Sequence, residues 1–315
     1  MSRIAVLDDY QQFASTAADW SAVPGEVVFF SDHLTDADAL VARLRNFDVI
    51  VLMRERTPVP RSLIERLPEL RLIVTAGMRN ASVDMVAAAE RGVTVCGTDS
   101  GGGPATAELT WGLILDLLRN ITAEDAATRA GRWQTTVGLE LQGQTLGLLG
   151  LGRLGSAVAK VGRAFGMDVI AWSQNLTGDR AEAVGVTRVE RAELLAASDV
   201  LSVHVVLSDR TRGLIGAAEL AAMKPTAYLV NTSRGPIVDE AALVDALHSG
   251  QIAGAGLDVF DQEPLPAGHP LLTAPHTVLT PHIGFVTEQT YREWYPAMVE
   301  GIAAFLAGTP IRVLN

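Results

Sequence analysis

Three polar side chains in the second half of the chain each follow a short apolar run that is typical of a buried strand. Arg234 stands in the segment NTSRG, Glu263 in GLDVFDQEP and His282 in LTPHIG. An arginine guanidinium can grip a carboxylate through two parallel hydrogen bonds. A histidine beside a carboxylate can carry a proton to or from a reacting oxygen near neutral pH. The three residues therefore predict a site that binds a small carboxylic acid and moves a proton on it.

Each of these residues also has a structural explanation when it is considered alone. Arg234 could cap a helix, Glu263 could lie in a solvated turn, and His282 could belong to the core. The catalytic interpretation is favoured because all three follow strands, and open α/β sheets bind ligands at the carboxyl ends of their strands. Nothing comparable surrounds four other histidines, which are predicted at surface or turn positions: His33, His248, His269 and His276.

A glycine-rich turn lies between an apolar run and an Ala/Val-rich stretch in TLGLLGLGRLGSAVAKVGRAFG. Gly150 permits a tight turn, Gly152 lets the backbone approach a pyrophosphate, and Gly155 allows close packing of helix and strand. The N-terminus of the following helix offers free N–H groups to phosphates. An ordinary strand-to-helix turn would explain only one or two of these glycines. The segment therefore predicts a dinucleotide site.

The strand after the glycine turn lacks the acidic residue that usually binds the adenosine ribose. It ends in the segment WSQN at 172–175, and Asp168 stands at its opposite end. Ser173 occupies the position that discriminates between the two nicotinamide cofactors, unless it merely caps a loop. Without a carboxylate to repel a 2′-phosphate, and with Arg153 or Arg180 as a positive partner, NAD and NADP both stay open.

The elements that position these residues alternate between short β-branched runs and Ala/Leu-rich stretches at helical spacing. The apolar runs lie at 4–8, 48–53, 71–76 and 93–96, and again at 145–150, 168–172, 199–205, 227–231, 253–259 and 277–280. This alternation is typical of βαβ units, so both halves are predicted to be open parallel sheets. Residues 106–121 and 287–308 predict two long amphipathic helices.

The length and composition of the chain limit the classes of protein to which it can belong. The chain has 315 residues, 48% hydrophobic and 19% charged, with a formal net charge of −11. A chain of this length is longer than most domains with a single hydrophobic core, so two domains are expected. The negative charge disfavours nonspecific attraction to nucleic acid or an anionic membrane, and the single cysteine, Cys96, fits a reducing compartment. We predict a cytoplasmic protein without a nucleic-acid partner, a membrane partner or a metal site.

The ordered set of motifs resembles the D-isomer-specific 2-hydroxyacid dehydrogenases. This family includes phosphoglycerate dehydrogenases, glyoxylate and hydroxypyruvate reductases, and D-lactate dehydrogenases. The resemblance covers nearly the whole chain and rests on the segments TAGMRNASVDMVAAAERGVTV, PATAELTWGLILDLLRNI, GLLGLGRLG, LVNTSRGPIVDEAALVDAL, GLDVFDQEPLP and LTPHIG.

The resemblance implies a role for each of the residues that match the family's motifs. Arg234 would hold the substrate's carboxylate and keto oxygen, Glu263 would orient His282, and His282 would be the acid/base. The substrate's carboxylate would contact backbone N–H groups around Ala76, Gly77 and Met78, with Arg79 as a further contact particular to this sequence. With Ser173, the expected cofactor contacts are Gly150, Gly152, Arg153, Leu154, Gly155, Val205, Thr232, Asp258 and Gly284.

The fold expected from the resemblance is α/β, with two doubly wound parallel-sheet domains. A flavodoxin-like substrate domain would comprise residues 1–100 and 286–315, and a Rossmann NAD(P)-binding domain would occupy 101–285, with the active site in the cleft. The family also implies a homodimer built through the cofactor domains. The expected reaction is hydride transfer between a nicotinamide and the second carbon of a small 2-hydroxy or 2-keto acid. The alternatives are a non-catalytic NAD(P) sensor or corepressor on the same scaffold, and a formate dehydrogenase.

Overall fold

The computed structural model describes residues 1–99 and 103–315. The chain divides into two compact units. The first unit consists of Met1–Gly103 and Thr287–Asn315, and the second of Pro104–Val286. The domain boundary expected between residues 100 and 101 lies outside the described residues.

The elements of the described residues are numbered in chain order. The strands are β1 (Ser2–Val6), β2 (Gly25–Phe29), β3 (Val49–Leu52), β4 (Leu72–Thr75), β5 (Thr94–Cys96), β6 (Thr145–Leu149), β7 (Asp168–Trp172), β8 (Thr187–Arg188), β9 (Val200–Val203), β10 (Tyr228–Asn231), β11 (Gly254–Leu257) and β12 (Thr277–Leu279). The helices are α1 (Ala14–Ala17), α2 (Ala37–Leu44), α3 (Arg61–Ile64), α4 (Met85–Glu90), α5 (Ala105–Arg119), α6 (Ile121–Arg129), α7 (Arg153–Ala164), α8 (Gly178–Glu182), α9 (Arg191–Ala197), α10 (Ala217–Ala221), α11 (Glu240–His248) and α12 (Glu288–Leu306). Within the described ranges, none of these helices combines the length and apolar composition needed to cross a membrane.

The first unit is built on a five-stranded sheet in the order β2-β1-β3-β4-β5. All neighbouring strands in it run parallel. Every residue of the central strands β3 (VIVL) and β4 (LIVT) is buried, as expected for strands covered on both faces. This order is that of flavodoxin-like sheets. The carboxyl end of β4 leads directly into the predicted substrate segment at residues 76–79.

The second unit is built on a seven-stranded parallel sheet in the order β12-β11-β10-β9-β6-β7-β8. Neighbouring residues of single strands pack into two different cores: Leu149 and Leu229 lie in one, and Leu148 and Val230 in the other. The sheet is therefore covered on both faces, and its order is that of a Rossmann fold. Because the strands are parallel, the segments that follow them lie along one edge of the sheet. The predicted fold class, two parallel-sheet α/β domains, is confirmed.

Two strands of the structure were not predicted from the sequence. β2 (GEVVF) is an edge strand without a fully buried residue, and β8 has only two residues, both exposed. Edge strands do not carry the continuous apolar run of a strand that is buried on both faces. The expected signal was therefore absent from both segments.

Candidate active site

The turn that carries Arg234 is fixed by the last residue of β10. The buried side chain of Asn231 donates through Nδ2 to the carbonyl oxygen of Arg234 at 3.0 Å and accepts the backbone N–H of Ser233 at 3.0 Å. The hydroxyl of Ser233 donates to the carbonyl oxygen of Val205 at 2.6 Å, which joins this turn to the segment after β9. The Arg234 guanidinium donates through Nη1 to the carbonyl oxygen of Ser233 at 2.7 Å. The arginine thus projects from a turn whose backbone is held at several points.

The structure brings Glu263 and His282 together. His282 Nδ1 lies 2.6 Å from Glu263 Oε2, and Glu263 Oε1 accepts the backbone N–H of Phe260 at 2.9 Å. The imidazole packs nearly perpendicular to the ring of Phe285, at an interplanar angle of 77° and with the centroids 5.6 Å apart. Because Nδ1 carries the proton that it donates to the carboxylate, Nε2 is the ring nitrogen available to a substrate. The side chain of His282 is 19% exposed.

The loop that carries His282 is held by Asp258. This carboxylate is 1% exposed and accepts the hydroxyl of Thr280 at 2.7 Å and the backbone N–H groups of Ile283 and Gly284, each at 2.8 Å. Burial raises the pKa of Asp258, while these three hydrogen bonds oppose the increase. His282 has a φ of 53°, in the left-handed region that a non-glycine residue adopts only when its surroundings enforce it. The bonds to Asp258 supply that constraint, a positioning role beyond the predicted cofactor contact.

Gly235 brings the Arg234 turn against the loop that carries Glu263. A Cβ atom at this position would lie 2.1 Å from the carbonyl carbon and 2.2 Å from the carbonyl oxygen of Phe260. Only glycine permits this approach, because the atoms in the way belong to the backbone. Gly235 was not among the residues predicted for the site. Its position directly after the predicted arginine was the available signal.

The glycine turn between β6 and α7 fits a dinucleotide. Gly150 has a φ of 107°, and a Cβ atom on it would lie 2.8 Å from the carbonyl carbon of His204. A Cβ atom on Gly155 would lie 2.2 Å from the carbonyl oxygen of Gly150. Around Gly152, by contrast, a Cβ atom would meet no atom of residues 1–99 or 103–315 within 4 Å, and no side chain of these residues caps α7 there. Since packing within the protein does not require a glycine at 152, the open space before the helix N-terminus suits a pyrophosphate.

The end of β7 lies beside this turn. The N–H of Gly150 donates to the carbonyl oxygen of Trp172 at 2.9 Å, and the half-buried Ser173 follows directly. The position predicted to discriminate between the cofactors is thus a serine, with a hydroxyl group and no carboxylate.

The other predicted cofactor residues lie along the same edge of the second sheet. Arg153 and Leu154 begin α7, and Val205 follows β9. The buried hydroxyl of Thr232 pairs with that of Thr110 at 2.8 Å. The carbonyl oxygen of Gly284 accepts the hydroxyl of Thr106 at 3.0 Å.

A second histidine on this edge is unsuited to proton transfer at neutral pH. Burial lowers the pKa of His204 to about 4. Its Nε2 lies 2.9 Å from the hydroxyl of Ser202, and its backbone lies beneath Gly150. His204 is therefore neutral at physiological pH.

In the first unit, the structure alters the prediction for the substrate segment. The N–H of Ala76 donates to the carbonyl oxygen of Leu52 at 3.1 Å, and that of Gly77 donates to the hydroxyl of Thr98 at 2.7 Å. Two of the three donors expected to bind a carboxylate are thus engaged within the unit, because Ala76 extends the β4 ladder and Thr98 lies beside it. Met78 and Arg79 are exposed and remain the candidates.

The fold and the site together define a nicotinamide-dependent oxidoreductase. The family described as D-isomer specific 2-hydroxyacid dehydrogenase, NAD binding domain, matches residues 111–284. A glyoxylate reductase from Aeropyrum pernix is 39% identical over 289 residues, which are 88% of this chain and 86% of that protein. A D-3-phosphoglycerate dehydrogenase from Methanocaldococcus jannaschii is 38% identical over 86% of this chain, which spans only 52% of that protein.

A comparison with solved structures indicates the same family. The crystal structure of a phosphoglycerate oxidoreductase from Vibrio cholerae superposes with a TM-score of 0.93 at 35% identity, covering 98% of this chain and 100% of that one. The chain belongs to the D-isomer-specific 2-hydroxyacid dehydrogenase family and is an oxidoreductase that acts on a CH–OH group with an NAD(P) cofactor.

Proposed function

We propose that this protein interconverts small 2-keto acids and D-2-hydroxy acids, with Arg234, Glu263 and His282 as its catalytic residues. The observation that carries the proposal is the contact of 2.6 Å between Glu263 and His282 on the same sheet edge as the Arg234 turn. Glyoxylate, hydroxypyruvate and phosphoglycerate-like acids are the proposed substrates, in keeping with the names of the relatives described above.

The proposed mechanism assigns one task to each side chain. The guanidinium of Arg234 binds the substrate carboxylate and polarises the keto oxygen. When bound, the nicotinamide supplies or accepts the hydride at the substrate's second carbon. His282 delivers the proton from Nε2 to the keto oxygen in reduction and removes it in oxidation. Glu263 accepts a hydrogen bond from Nδ1 and fixes the orientation of the His282 ring.

The binding of both ligands rests on backbone groups and on exposed side chains. The N-terminus of α7 and the open space at Gly152 hold the cofactor's pyrophosphate, with Arg153, Leu154, Val205, Thr232, Asp258 and Gly284 as further cofactor contacts. Met78 and Arg79 are the proposed substrate contacts of the first unit.

We expect measurable oxidation of NADH and NADPH with at least one of glyoxylate, hydroxypyruvate and phenylpyruvate. Because Ser173 presents no carboxylate to a 2′-phosphate, we expect kcat/KM for the two cofactors to differ by no more than about tenfold. Absorbance at the reduced-nicotinamide band checks both expectations. A strong preference for NADH would contradict the role given to Ser173.

The same assay separates the two alternative functions. Tight cofactor binding without turnover of any acid would favour a sensor or corepressor. Formate-dependent reduction of the cofactor would favour a formate dehydrogenase, whose reaction protonates no carbonyl oxygen and has no use for the pair formed by Glu263 and His282.

We also propose that the protein is a homodimer assembled through the segment 130–142 of the second unit. This segment has little regular structure and exposes three large apolar side chains: Trp133 is 77% exposed, Val137 95% and Leu139 43%. Exposed apolar side chains grouped in this way mark surfaces that bind another protein. A second copy of the chain is the proposed partner.

Replacing Trp133 and Val137 together with lysine should convert the dimer to a monomer, as measured by light scattering after gel filtration. Val86→Lys, at a 64% exposed valine on α4, is the control and should leave the mass unchanged. A wild-type protein that is monomeric at micromolar concentration would contradict the proposal.

A further inference from the structure

Glu240 and His269 form a polar pair behind the loop that carries Glu263. Glu240 is the first residue of α11, and His269 precedes the short 3-10 turn Pro270–Leu272. Their side chains are 18% and 19% exposed. The proposed mechanism gives neither of them a task.

The hydrogen bonds of His269 define its tautomer. The backbone N–H of Leu271 donates to Nδ1 at 3.3 Å, so this nitrogen is an acceptor. The ring proton is therefore on Nε2, which lies 3.0 Å from Glu240 Oε1 and donates to it. His269 thus fixes one oxygen of the Glu240 carboxylate.

The other oxygen of Glu240 reaches the loop of Glu263. Glu240 Oε2 accepts the backbone N–H of Asp261 at 3.3 Å. The preceding N–H, that of Phe260, is the one that donates to Glu263 Oε1 at 2.9 Å. The peptide between Phe260 and Asp261 also rests on Gly235. Two successive N–H groups of this loop are thus bound, one by Glu240 and one by Glu263.

The charged groups around the pair give the loop a defined electrostatic environment. Burial raises the pKa of Asp261, the negative charges of Glu240 and Asp239 raise it further, and Arg212 and His269 oppose the increase. Three acidic side chains therefore share a small region. His269 gives Glu240 a hydrogen-bond partner in this region.

We propose that Glu240 and His269 are positioning residues, which act on the reaction through the loop of Glu263. They hold the peptide between Phe260 and Asp261 so that the Phe260 N–H fixes Glu263 Oε1, and this directs Oε2 at His282 Nδ1. Neither residue touches substrate or cofactor. The inference rests on the proposed function for its kinetic consequence, while its structural consequence concerns the contact between Glu263 and His282 alone.

Glu240→Ala should lower kcat for keto-acid reduction by about ten- to a hundredfold, because the proton donor loses its fixed orientation. KM for the keto acid and the cofactor affinity should not change. Glu240→Gln keeps one oxygen that can accept either the His269 Nε2 proton or the Asp261 N–H, so it should lose less activity than Glu240→Ala. Asp245→Asn, at an exposed carboxylate on the same helix, is the matched control and should behave as wild type.

A proton NMR signature tests the pair without turnover. The Nδ1 proton that His282 donates to Glu263 should give a far-downfield resonance, identified by its loss in His282→Ala. This resonance should broaden or vanish in Glu240→Ala and persist in Asp245→Asn. If Glu240→Ala does not fold, His269→Ala, which frees the Glu240 carboxylate, carries the same expectation.

Two outcomes would overturn the proposal. One is an unchanged Nδ1 resonance in the folded Glu240 and His269 variants. The other is a lower thermal midpoint together with wild-type kcat, since this would make the pair a purely structural contact. If wild type turns over no acid while the resonance responds as expected, the proposed function fails and the positioning role stands.

Discussion

Replacing His282 with alanine should lower kcat for keto-acid reduction by about 10³-fold, within the range attributed to general acid–base catalysis. The variant has no group at the position of Nε2 to protonate the keto oxygen as hydride arrives. Cofactor binding should be retained, because the glycine turn and the N-terminus of α7 are unaffected. Stopped-flow measurement of turnover and fluorescence titration with NADH and NADPH check the two halves of this expectation.

The matched control for this variant is His248→Ala. His248 is exposed at the end of α11, where its Nδ1 lies 2.9 Å from the carbonyl oxygen of Val244, and its loss should leave kcat unchanged. Retention of most activity in His282→Ala, with the fold intact, would remove His282 from the role of acid/base.

Arg234→Lys should lower kcat/KM for the keto acid by about 10²- to 10³-fold, although the positive charge is kept. A lysine ammonium cannot form the two parallel hydrogen bonds that a guanidinium makes with a carboxylate. The loss should be seen in KM as well as in kcat, since the same group binds the substrate and polarises its keto oxygen. Initial rates over a range of keto-acid concentrations measure both constants.

Arg210→Lys, at an exposed arginine in the same unit, should have wild-type constants and serves as the control. Near-normal KM in Arg234→Lys would show that another group binds the carboxylate. Arg79 of the first unit would then be the next residue to replace.

The pairing of Glu263 with His282 could be predicted from the sequence, because both residues follow strands of a parallel sheet and therefore share an edge. The three glycines of the dinucleotide turn could be predicted for a similar reason, since each fills a local requirement of strand, turn or helix. Such inferences need only the order of the elements and the direction of the strands.

Contacts between distant segments could not be predicted in this way. The close approach of Gly235 to Phe260 depends on the separation of two loops that lie far apart in the sequence. The hydroxyl of Thr98 occupies the Gly77 N–H in place of a substrate, and no local pattern marks that bond. The network of Glu240 and His269 could not be predicted because each residue, taken alone, is a common helix-start or turn residue.

The backbone contact at Gly235 limits how the substrate preference of this enzyme can change by substitution. Gly235 places the backbone of the Arg234 turn directly against the Phe260 backbone. A change of side-chain rotamer therefore cannot compensate for a shift of either loop. A substitution that moves Arg234 to change the affinity for the acid will also move Glu263 and, through it, His282. The affinity for the substrate acid and the rate of proton transfer therefore depend on the same two loops. In variants selected for a new acid, we expect the first substitutions to lie elsewhere in the chain.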